Sequence, residues 1–261
     1  MTNNILHTYS SGGLGDALLV LSKLIRLNKE SGQKIHWSHL EKHKCHTRPV
    51  NDLMSSAAFL VKGSEFMYSE NPQKEAMELA ATAEGVYIHT RAIDRKYAME
   101  LFIAPLQCKN NIKELPAKFI CVQSAAGRMH DTTKRVITQK AINQLKTAVP
   151  GFAIVLLGPE YVPMDDTTLE DGLNFSGRTQ SILDALCIIN HSKGFVGHDG
   201  VMSYYAMMQK KATMVFWHAA NLPEHYMRKD WSKHTVEVFT DNIVSGIKEP
   251  PLQAFTKLCC I

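Results

Sequence analysis

Long apolar runs and clustered basic residues are both absent from this chain of 261 residues. No stretch approaches the roughly 18 consecutive apolar residues of a membrane-spanning helix. The net charge is only +4 and is spread along the chain, which does not indicate nucleic-acid binding but is compatible with small phosphate-bearing ligands. The opening MTNNILHTYSSGG also lacks the basic segment and apolar core of a secretory signal. We therefore expect a cytoplasmic protein without a transmembrane segment.

The six cysteines lack the spacing of a metal site or of a disulfide framework. No CxxC pair occurs, and Cys121 and Cys187 lie within apolar segments that we expect to be buried. This pattern predicts reduced thiols. Histidines are concentrated between residues 36 and 46, but their spacing matches no common zinc module. We therefore expect no metal and interpret residues 39–46 as an exposed polar connection that could touch an acceptor.

Segments of strand length alternate with segments of helical periodicity along the chain. The first such unit is a strand at 5–9, a Gly-rich turn, and a helix to about residue 29. The polar stretch Pro105–Pro116 separates two alternating halves and is interpreted as a linker. We predict an α/β protein with two Rossmann-like domains facing a cleft: residues 1–110, a reduced N-terminal domain, and residues 111–261.

The same periodicity predicts element boundaries that can be compared with the structure. They include a strand at 34–38, a helix at 51–61, an edge strand at 66–68, a helix at 92–103, a helix at 180–190 with Thr179 as its N-cap, and a closing helix from about 241 to 258.

The first Gly-rich turn, SSGGLGDA, ends a strand and opens a helix. It is an incomplete dinucleotide fingerprint, because Leu18 stands where the third Gly of G-x-G-x-x-G would be. Two interpretations of Asp16 stay open: it stabilises the helix N-terminus, or it is a general base that deprotonates a hydroxyl. Gly13 and Gly15, which give the turn its flexible backbone, are candidate binding residues.

Three strand-to-helix junctions in the second half are candidate anion sites, because backbone N–H groups at a helix N-terminus attract negative charge. The first, AAGRMHDTTKR, offers guanidinium and ammonium groups to a diphosphate, although a solvated basic loop is the alternative. The second is FSGRT, and the third is the turn within GHDGVMS. Their candidate binding residues are Ser124, Arg128, Lys134 and Arg135; Gly177, Arg178 and Thr179; and Asp199, Gly200, Val201, Met202 and Ser203.

Together these motifs resemble the heptosyltransferase-like glycosyltransferases of GT-B fold, the ADP-heptose:lipopolysaccharide heptosyltransferase family. SSGGLGDALLVLSKLIRLNK is similar to that family's opening strand, Gly-Asp turn and helix. QSAAGRMHDTTKRVIT is similar to its loop that ends in Lys-Arg, and residues 175–217 to its longest signature. There the family's Asp-Ser-Gly-Pro-Met-His is read as HDGVMS, so the acid is displaced by one place and Ser203 replaces the His.

The resemblance implies inverting transfer of a sugar from a nucleotide-diphosphate-sugar donor to a hydroxyl acceptor, without a metal or other cofactor. Asp16 would act as the base, and the backbone at 199–202 would hold the donor phosphates. Lys134, helped by Arg128 and Arg135, would offset charge on the leaving diphosphate.

The resemblance further implies that the first domain binds the acceptor, a glycan or glycolipid, and that the second binds the donor. Contact with a membrane surface through a lipid-linked acceptor stays open. Two alternatives remain: a nucleotide- or nucleotide-sugar-binding protein of the same fold that has lost catalysis, and an NAD(P)-linked oxidoreductase.

Overall fold

Strands and helices alternate in each of two units, Met1–Pro105 and Leu106–Ile261, in this computed structural model. The described residues are 5–91, 99, 115–126, 135–159, 173–177, 179–218, 223–240 and 243–260. The helix predicted at 92–103 lies outside them, as does most of the linker predicted at Pro105–Pro116.

The described part of the first unit is a parallel sheet with helices. Its strands are β1 (Ile5–Ser11), β2 (Lys34–Glu41), β3 (Glu65–Tyr68) and β4 (Val86–Tyr87). Its helices are α1 (Leu14–Ser31), α2 (Thr47–Ser55) and α3 (Pro72–Thr82), with a 3₁₀ turn at Lys44–His46. The strand order is β3-β2-β1-β4, so β3 is the edge strand that the sequence predicts.

The bounds of helix α1 are set by the residues at its two ends. It begins directly after Gly13 and stops at Gly32, whose φ of 67° is the left-handed conformation that glycine adopts at little steric cost. The Gly32 N–H donates to the carbonyl of Asn28 at 2.8 Å and closes the last turn. Between these ends, every residue from Ala17 to Leu24 is buried, which fixes the start of the helix beside the sheet.

The second unit contains a larger parallel sheet and a small sheet. The larger sheet consists of β5 (Phe119–Gln123), β8 (Ala153–Leu157), β9 (Leu173–Asn174), β10 (Gly194–His198), β11 (Ala212–His218) and β12 (Thr235–Thr240). The small sheet consists of β6 (Ala125–Ala126), β7 (Arg135–Ile137) and β13 (Ile243–Val244). The orders are β12-β11-β10-β5-β8-β9 and β13-β7-β6.

Helices pack around this larger sheet and complete its core. They are α4 (Gln139–Ala148), α5 (Ile182–His191), α6 (Val201–Met208), α7 (Pro223–Tyr226) and α8 (Glu249–Cys259), with a 3₁₀ turn at Ser232–His234. Ile120, Val122 and Val196 of the central strands pack in one cluster with Phe255 of α8.

The strand order reverses once in each large sheet. In the first unit the chain runs from β1 outward to β2 and β3, and then returns to place β4 on the other side of β1. In the second unit the same reversal lies between β5 and β10. Ligands of open parallel sheets bind beyond the carboxyl ends of the strands at such a reversal. The segments that follow β1, β4, β5 and β10 are therefore where a site is expected.

Several predicted boundaries in the first unit and at α5 are wrong. Strand β2 continues to Glu41, so residues 39–41 belong to the sheet and not to a polar connection. Helix α2 begins at Thr47, where Pro49 fits its first turn. The N-cap of α5 is Ser181 and not Thr179, because the Ser181 hydroxyl accepts from the Asp184 N–H while the Asp184 carboxylate accepts from the Ser181 N–H.

The closing helix also begins later than predicted. Helix α8 starts at Glu249, and two prolines occupy its first turn, where their missing N–H groups cost no helical hydrogen bond. Ile243 and Val244, which the prediction placed in this helix, instead form β13 and pair with β7.

The state of the cysteines agrees only in part with the prediction from the sequence. Cys121 and Cys187 are buried, as predicted. Cys121 is a free thiol, like Cys45, Cys259 and Cys260, but Cys187 is disulfide-bonded, so the expectation of reduced thiols is wrong at that residue. Which cysteines come close enough to bond depends on the fold, and cysteine spacing in the sequence does not reveal it.

Within the described ranges, no helix is both long and apolar enough to cross a bilayer.

Candidate functional site

The Gly-rich turn after β1 is bonded to β2 and leads into α1, whose first turn contains Asp16. The Gly12 N–H donates to the carbonyl of Leu40 at 3.1 Å. Gly12 has a φ of 130°, and a Cβ added there would lie 2.6 Å from Asp16 Oδ2. The Gly13 N–H donates to that same Oδ2 at 2.8 Å. Glycine at position 12 is thus required both by the backbone conformation and by the close approach of the carboxylate.

The surroundings of Asp16 make its carboxyl a weaker acid than usual. The residue as a whole is half-buried, but Oδ1 is inaccessible to solvent and accepts no hydrogen bond among the described residues. This burial raises the pKa of Asp16 to about 6, against the opposing effects of the Gly13 N–H and the Thr90 hydroxyl. The charge of Glu41 raises the pKa further. A carboxyl with a pKa near neutrality is suited to act as a general base, so both interpretations of Asp16 stay open at this point.

Glu41 is a second buried carboxylate at the same edge of the sheet, which the sequence analysis did not select. It is 2% exposed at the carboxyl end of β2. Its Oε1 lies 2.6 Å from His46 Nδ1, while Oε2 is inaccessible and without a hydrogen-bond partner in the described part of the chain. Protonated His46 would form an ion pair with it.

A series of hydrogen-bonded, buried side chains connects the Gly-rich turn to strands β1 and β2. Trp37 Nε1–H donates to Ser10 Oγ at 2.8 Å, and Ser10 Oγ lies 2.8 Å from His39 Nδ1. His39 Nε2 lies 2.9 Å from the carbonyl oxygen of Gly12. Because burial lowers the pKa of His39 to about 4, the ring is neutral near pH 7.

The histidines between residues 36 and 46 do not converge on one point. His39 is fully buried, contrary to the exposed connection that the sequence suggests. The rings of His7 and His36 lie 5.0 Å apart on neighbouring strands, away from the pair of His43 and His46. Within the ranges that the structure describes, no three metal-binding side chains come together.

In the second unit, the turn between β10 and α6 is fixed by Arg135. Arg135 Nη1–H donates to Asp199 Oδ1 at 2.6 Å and to the Asp199 carbonyl at 3.0 Å. The Asp199 N–H donates to the carbonyl of Phe216 at 3.1 Å. Next to it, Gly200 has a φ of 155°, and apart from its chain neighbours no atom of the described residues lies within 4 Å of the place where its Cβ would be. Within the described ranges, the backbone that opens α6 is therefore uncovered at Gly200.

The side chains on either side of this turn point inward. The Ser203 hydroxyl donates to the carbonyl of His198, and both residues are fully buried. The ring of His198 lies 5.9 Å from those of Phe216 and His218, and neither of its nitrogens has a hydrogen-bond partner among described residues. Burial, with smaller effects of Arg135 and His218, lowers the pKa of His198 to about 3, so the ring is uncharged.

The other predicted binding residues occupy the same carboxyl edge to different extents. Ser124 Oγ lies 3.2 Å from Ser176 Oγ across the ends of their strands, and the Gly177 N–H donates to the carbonyl of Gly158 at 2.8 Å. Met202 is buried in α6. Gln123, which the sequence analysis missed, ends β5 with a buried Oε1 that accepts no hydrogen bond within the described ranges. Its place at the end of an apolar strand was the available signal.

Three of the predicted residues lie outside the described part of the chain: Arg128, Lys134 and Arg178. The structure brings Arg135 and Asp199 together, and it places Gly13 beside Asp16 in the other unit.

Neither a protein-family model nor a curated protein sequence matches the chain. Solved structures do. E. coli ADP-heptose LPS heptosyltransferase II matches with a TM-score of 0.63 and 12% identity over 98% of both chains. The E. coli heptosyltransferase WaaC with ADP matches with a TM-score of 0.55 and 12% identity, over 98% of this chain and 99% of that one.

A sugar-nucleotide enzyme of another kind has a similar structure. The Methanocaldococcus jannaschii UDP-GlcNAc 2-epimerase, in complex with UDP-GlcNAc and UDP, matches with a TM-score of 0.51 and 10% identity, over 98% of this chain and 92% of that one. At such identities the likeness shows the fold alone. The chain has the GT-B-type fold of two Rossmann-like units, and the resemblance to the heptosyltransferases is confirmed at that level.

Proposed function

We propose that this protein is a metal-independent, inverting glycosyltransferase, which transfers a sugar from a nucleotide-diphosphate-sugar donor to a hydroxyl of a glycan or glycolipid. The observation that carries the proposal is the carboxyl of Asp16. It lies in the first turn of α1, directly after the Gly-rich turn at the strand reversal of the first unit, and burial raises its pKa to about 6. The fold shared with E. coli heptosyltransferase II supports the choice of reaction.

The transfer is a single displacement. Asp16 accepts the proton of the acceptor hydroxyl while that oxygen forms a bond to the anomeric carbon. The bond from this carbon to the diphosphate breaks on the opposite face, which inverts the configuration. A base with a pKa near the working pH is partly ionised yet basic enough to take the proton.

The second unit binds the donor in this proposal, and the first binds the acceptor. The backbone N–H groups that open α6, beside Gly200, receive the donor diphosphate. Lys134 and Arg128 offset the charge that develops on the leaving group. Arg135 is already bonded to Asp199, so its role is to hold the phosphate-binding turn in place. We also place the reaction in the cytoplasm.

Donor binding is tested by thermal shift with ADP-, UDP-, GDP- and CDP-sugars beside NAD and NADP. A nucleotide-diphosphate sugar should stabilise the protein, with or without EDTA. Stabilisation by NAD alone would overturn the proposal in favour of an oxidoreductase.

Catalysis is tested with the donor that binds, by comparing release of nucleoside diphosphate in the wild type, Asp16→Asn and Lys134→Ala. Asp16→Asn should lose about 10²–10⁴-fold in turnover while donor affinity is retained. Unchanged turnover in Asp16→Asn removes it as the base. Incubating the donor without acceptor and analysing the sugar shows whether epimerisation occurs instead.

A nucleotide-sugar-binding protein without transferase activity is the second candidate. Two observations favour it. The Ser203 hydroxyl donates its proton to the carbonyl of His198, and the Asp199 carboxylate accepts from Arg135. Neither side chain is then directed to a donor. Donor binding with no turnover toward any hydroxyl acceptor would support this candidate over the transferase.

A further inference from the structure

The peptide group between Gly12 and Gly13 connects two parts of the first unit. Its carbonyl oxygen, on Gly12, lies 2.9 Å from His39 Nε2. Its N–H, on Gly13, donates to Asp16 Oδ2 at 2.8 Å. One planar peptide therefore lies between a buried imidazole and the carboxylate assigned as the base.

The donor and acceptor roles along this line are determined by elimination. A carbonyl oxygen can only accept, so His39 Nε2 must carry the proton. In the neutral ring Nδ1 is then an acceptor, which receives the hydroxyl proton of Ser10 at 2.8 Å. Ser10 Oγ in turn accepts from Trp37 Nε1–H at 2.8 Å.

The donor and the acceptor of each hydrogen bond in this series are therefore defined. The Trp37 indole donates to Ser10, Ser10 donates to His39, and His39 donates to the peptide, whose N–H donates to Asp16. Trp37 and His39 are fully buried, and so is Ser10. In such surroundings hydrogen bonds in series polarise one another, and each strengthens the next.

We propose that His39 is a positioning residue, which acts through the Gly12–Gly13 peptide to orient Asp16 and to stabilise its charged form, with Ser10 and Trp37 fixing the tautomer of the imidazole. The inference deepens the proposed function and rests on it for the role of Asp16 as the base. His39 itself touches no substrate in this scheme. We call the series Trp37–Ser10–His39–Gly12–Gly13–Asp16 the hydrogen-bond relay.

The other titratable side chains near Asp16 are left unsubstituted in the test that follows. Glu41 on β2 raises the pKa of Asp16, and His46 lies against Glu41. Tyr87 on β4 bonds to Ser11 through its hydroxyl, at 3.1 Å. None of these three side chains is changed in the variants, so they contribute equally to each.

The first measurement needs no activity. Histidine ¹⁵N spectra of the full chain should show His39 as the neutral Nε2–H tautomer, stable from pH 8 to below about pH 5 because the pKa of His39 is lowered to about 4. A side-chain ¹³C titration gives the ionisation midpoint of Asp16, assigned by its disappearance in Asp16→Asn. An Nδ1–H tautomer, or a His39 that titrates as an ordinary exposed histidine, overturns the proposal.

The variants then separate positioning from packing. His39→Phe keeps an aromatic ring at this position and removes both hydrogen bonds, and should move the ionisation midpoint of Asp16 to higher pH by roughly half a unit. Ser10→Ala should move it less in the same direction. His39→Gln, whose amide can donate to the Gly12 carbonyl, should restore part of the change. The matched control is Ser22→Ala, which removes a buried hydroxyl bonded to Leu18 in α1 and should leave the midpoint unchanged.

Turnover against pH gives the functional comparison. The acid limb of turnover should move with the Asp16 midpoint in His39→Phe and Ser10→Ala, while donor affinity is retained. A folded His39→Phe with an unmoved midpoint overturns the proposal; if that variant does not fold, an unmoved midpoint in Ser10→Ala overturns it. If the wild type has no transferase activity, the proposed function fails, and the two spectroscopic titrations still decide whether the relay exists.

Discussion

Arg135 holds Asp199 at two points, its Nη1–H donating at 2.6 Å to the carboxylate and at 3.0 Å to the carbonyl of the same residue. The Asp199 side chain is 3% exposed and that of Arg135 is 26% exposed. One guanidinium therefore compensates a buried charge and fixes the backbone that leads into α6.

Removing Arg135 should deprive the buried Asp199 carboxylate of the guanidinium that bonds to it. We expect Arg135→Ala to lower the free energy of unfolding by about 3 kcal/mol, and the double variant with Asp199→Asn to recover part of that loss. Urea unfolding measures both. The exposed pair Arg228–Asp230 is the control, where Arg228→Ala should cost under about 1 kcal/mol. Equal losses in the two arginine variants would contradict a role for burial.

Gly12 should tolerate alanine less well than Gly32, although both have positive φ. At Gly12 an added Cβ meets Asp16 Oδ2 at 2.6 Å, whereas at Gly32 it meets no other part of the described chain within 4 Å. Gly32→Ala should cost about 1 kcal/mol from the backbone alone. Gly12→Ala should cost about 3 kcal/mol and displace the carboxylate, with a matching fall in turnover. The prediction fails if the two variants unfold at the same urea concentration.

Asp16→Asn should stabilise the protein at pH 7 while it removes turnover. The pKa of Asp16 is raised from 3.8 to about 6 on folding, so the folded protein binds this proton more tightly than the unfolded chain. Stability is thus lost as pH rises through that interval. Relative to wild type, the variant should gain up to about 3 kcal/mol at pH 7 and nothing below about pH 4. Urea unfolding at pH 4, 5.5 and 7 checks the sign; a gain that is constant with pH would refute the burial of this carboxyl.

His198 should make the protein less stable on mild acidification. Its pKa is lowered from 6.5 to about 3 on folding, so the unfolded chain takes up a proton that the folded protein excludes. The contribution is complete above the unfolded pKa and is lost as pH falls, by about 2 kcal/mol at pH 5. His198→Phe should weaken the fall in stability between pH 7 and pH 5, measured by urea unfolding. An identical pH dependence in both proteins would show that His198 is solvated.

Local patterns predicted the scaffold of both sites. The turn within GHDGVMS joins strand β10 to helix α6 as expected, because turn glycines and apolar periodicity act over a few residues. The Gly-rich turn before Asp16 is correct for the same reason. The second acidic residue, Glu41, was missed, since β2 was predicted to end three residues too early.

The support beneath Asp16 could not be predicted because it depends on strand register. Ser10 stands opposite His39 in the pairing of β1 with β2, and Trp37 lies two residues before His39, on the same face of its strand. Nothing in either segment alone specifies that pairing. The alternation of residues in KIHWSHLE is compatible with a longer strand, but it does not identify the residues with which that strand pairs.

The pairing of β7 with β13 joins parts of the second unit that are synthesised at different times. Val136 and Ile137, directly after Arg135, pair with Ile243 and Val244, and the Thr138 N–H donates to the carbonyl of Val244. During synthesis, the nascent chain must therefore be extended past residue 244 before the strand that bears this guanidinium can acquire its last neighbour. Asp199 is made some forty-five residues earlier by the ribosome, roughly two to nine seconds ahead at ordinary elongation rates. Arg135 therefore lies on a strand whose last partner is synthesised after Asp199.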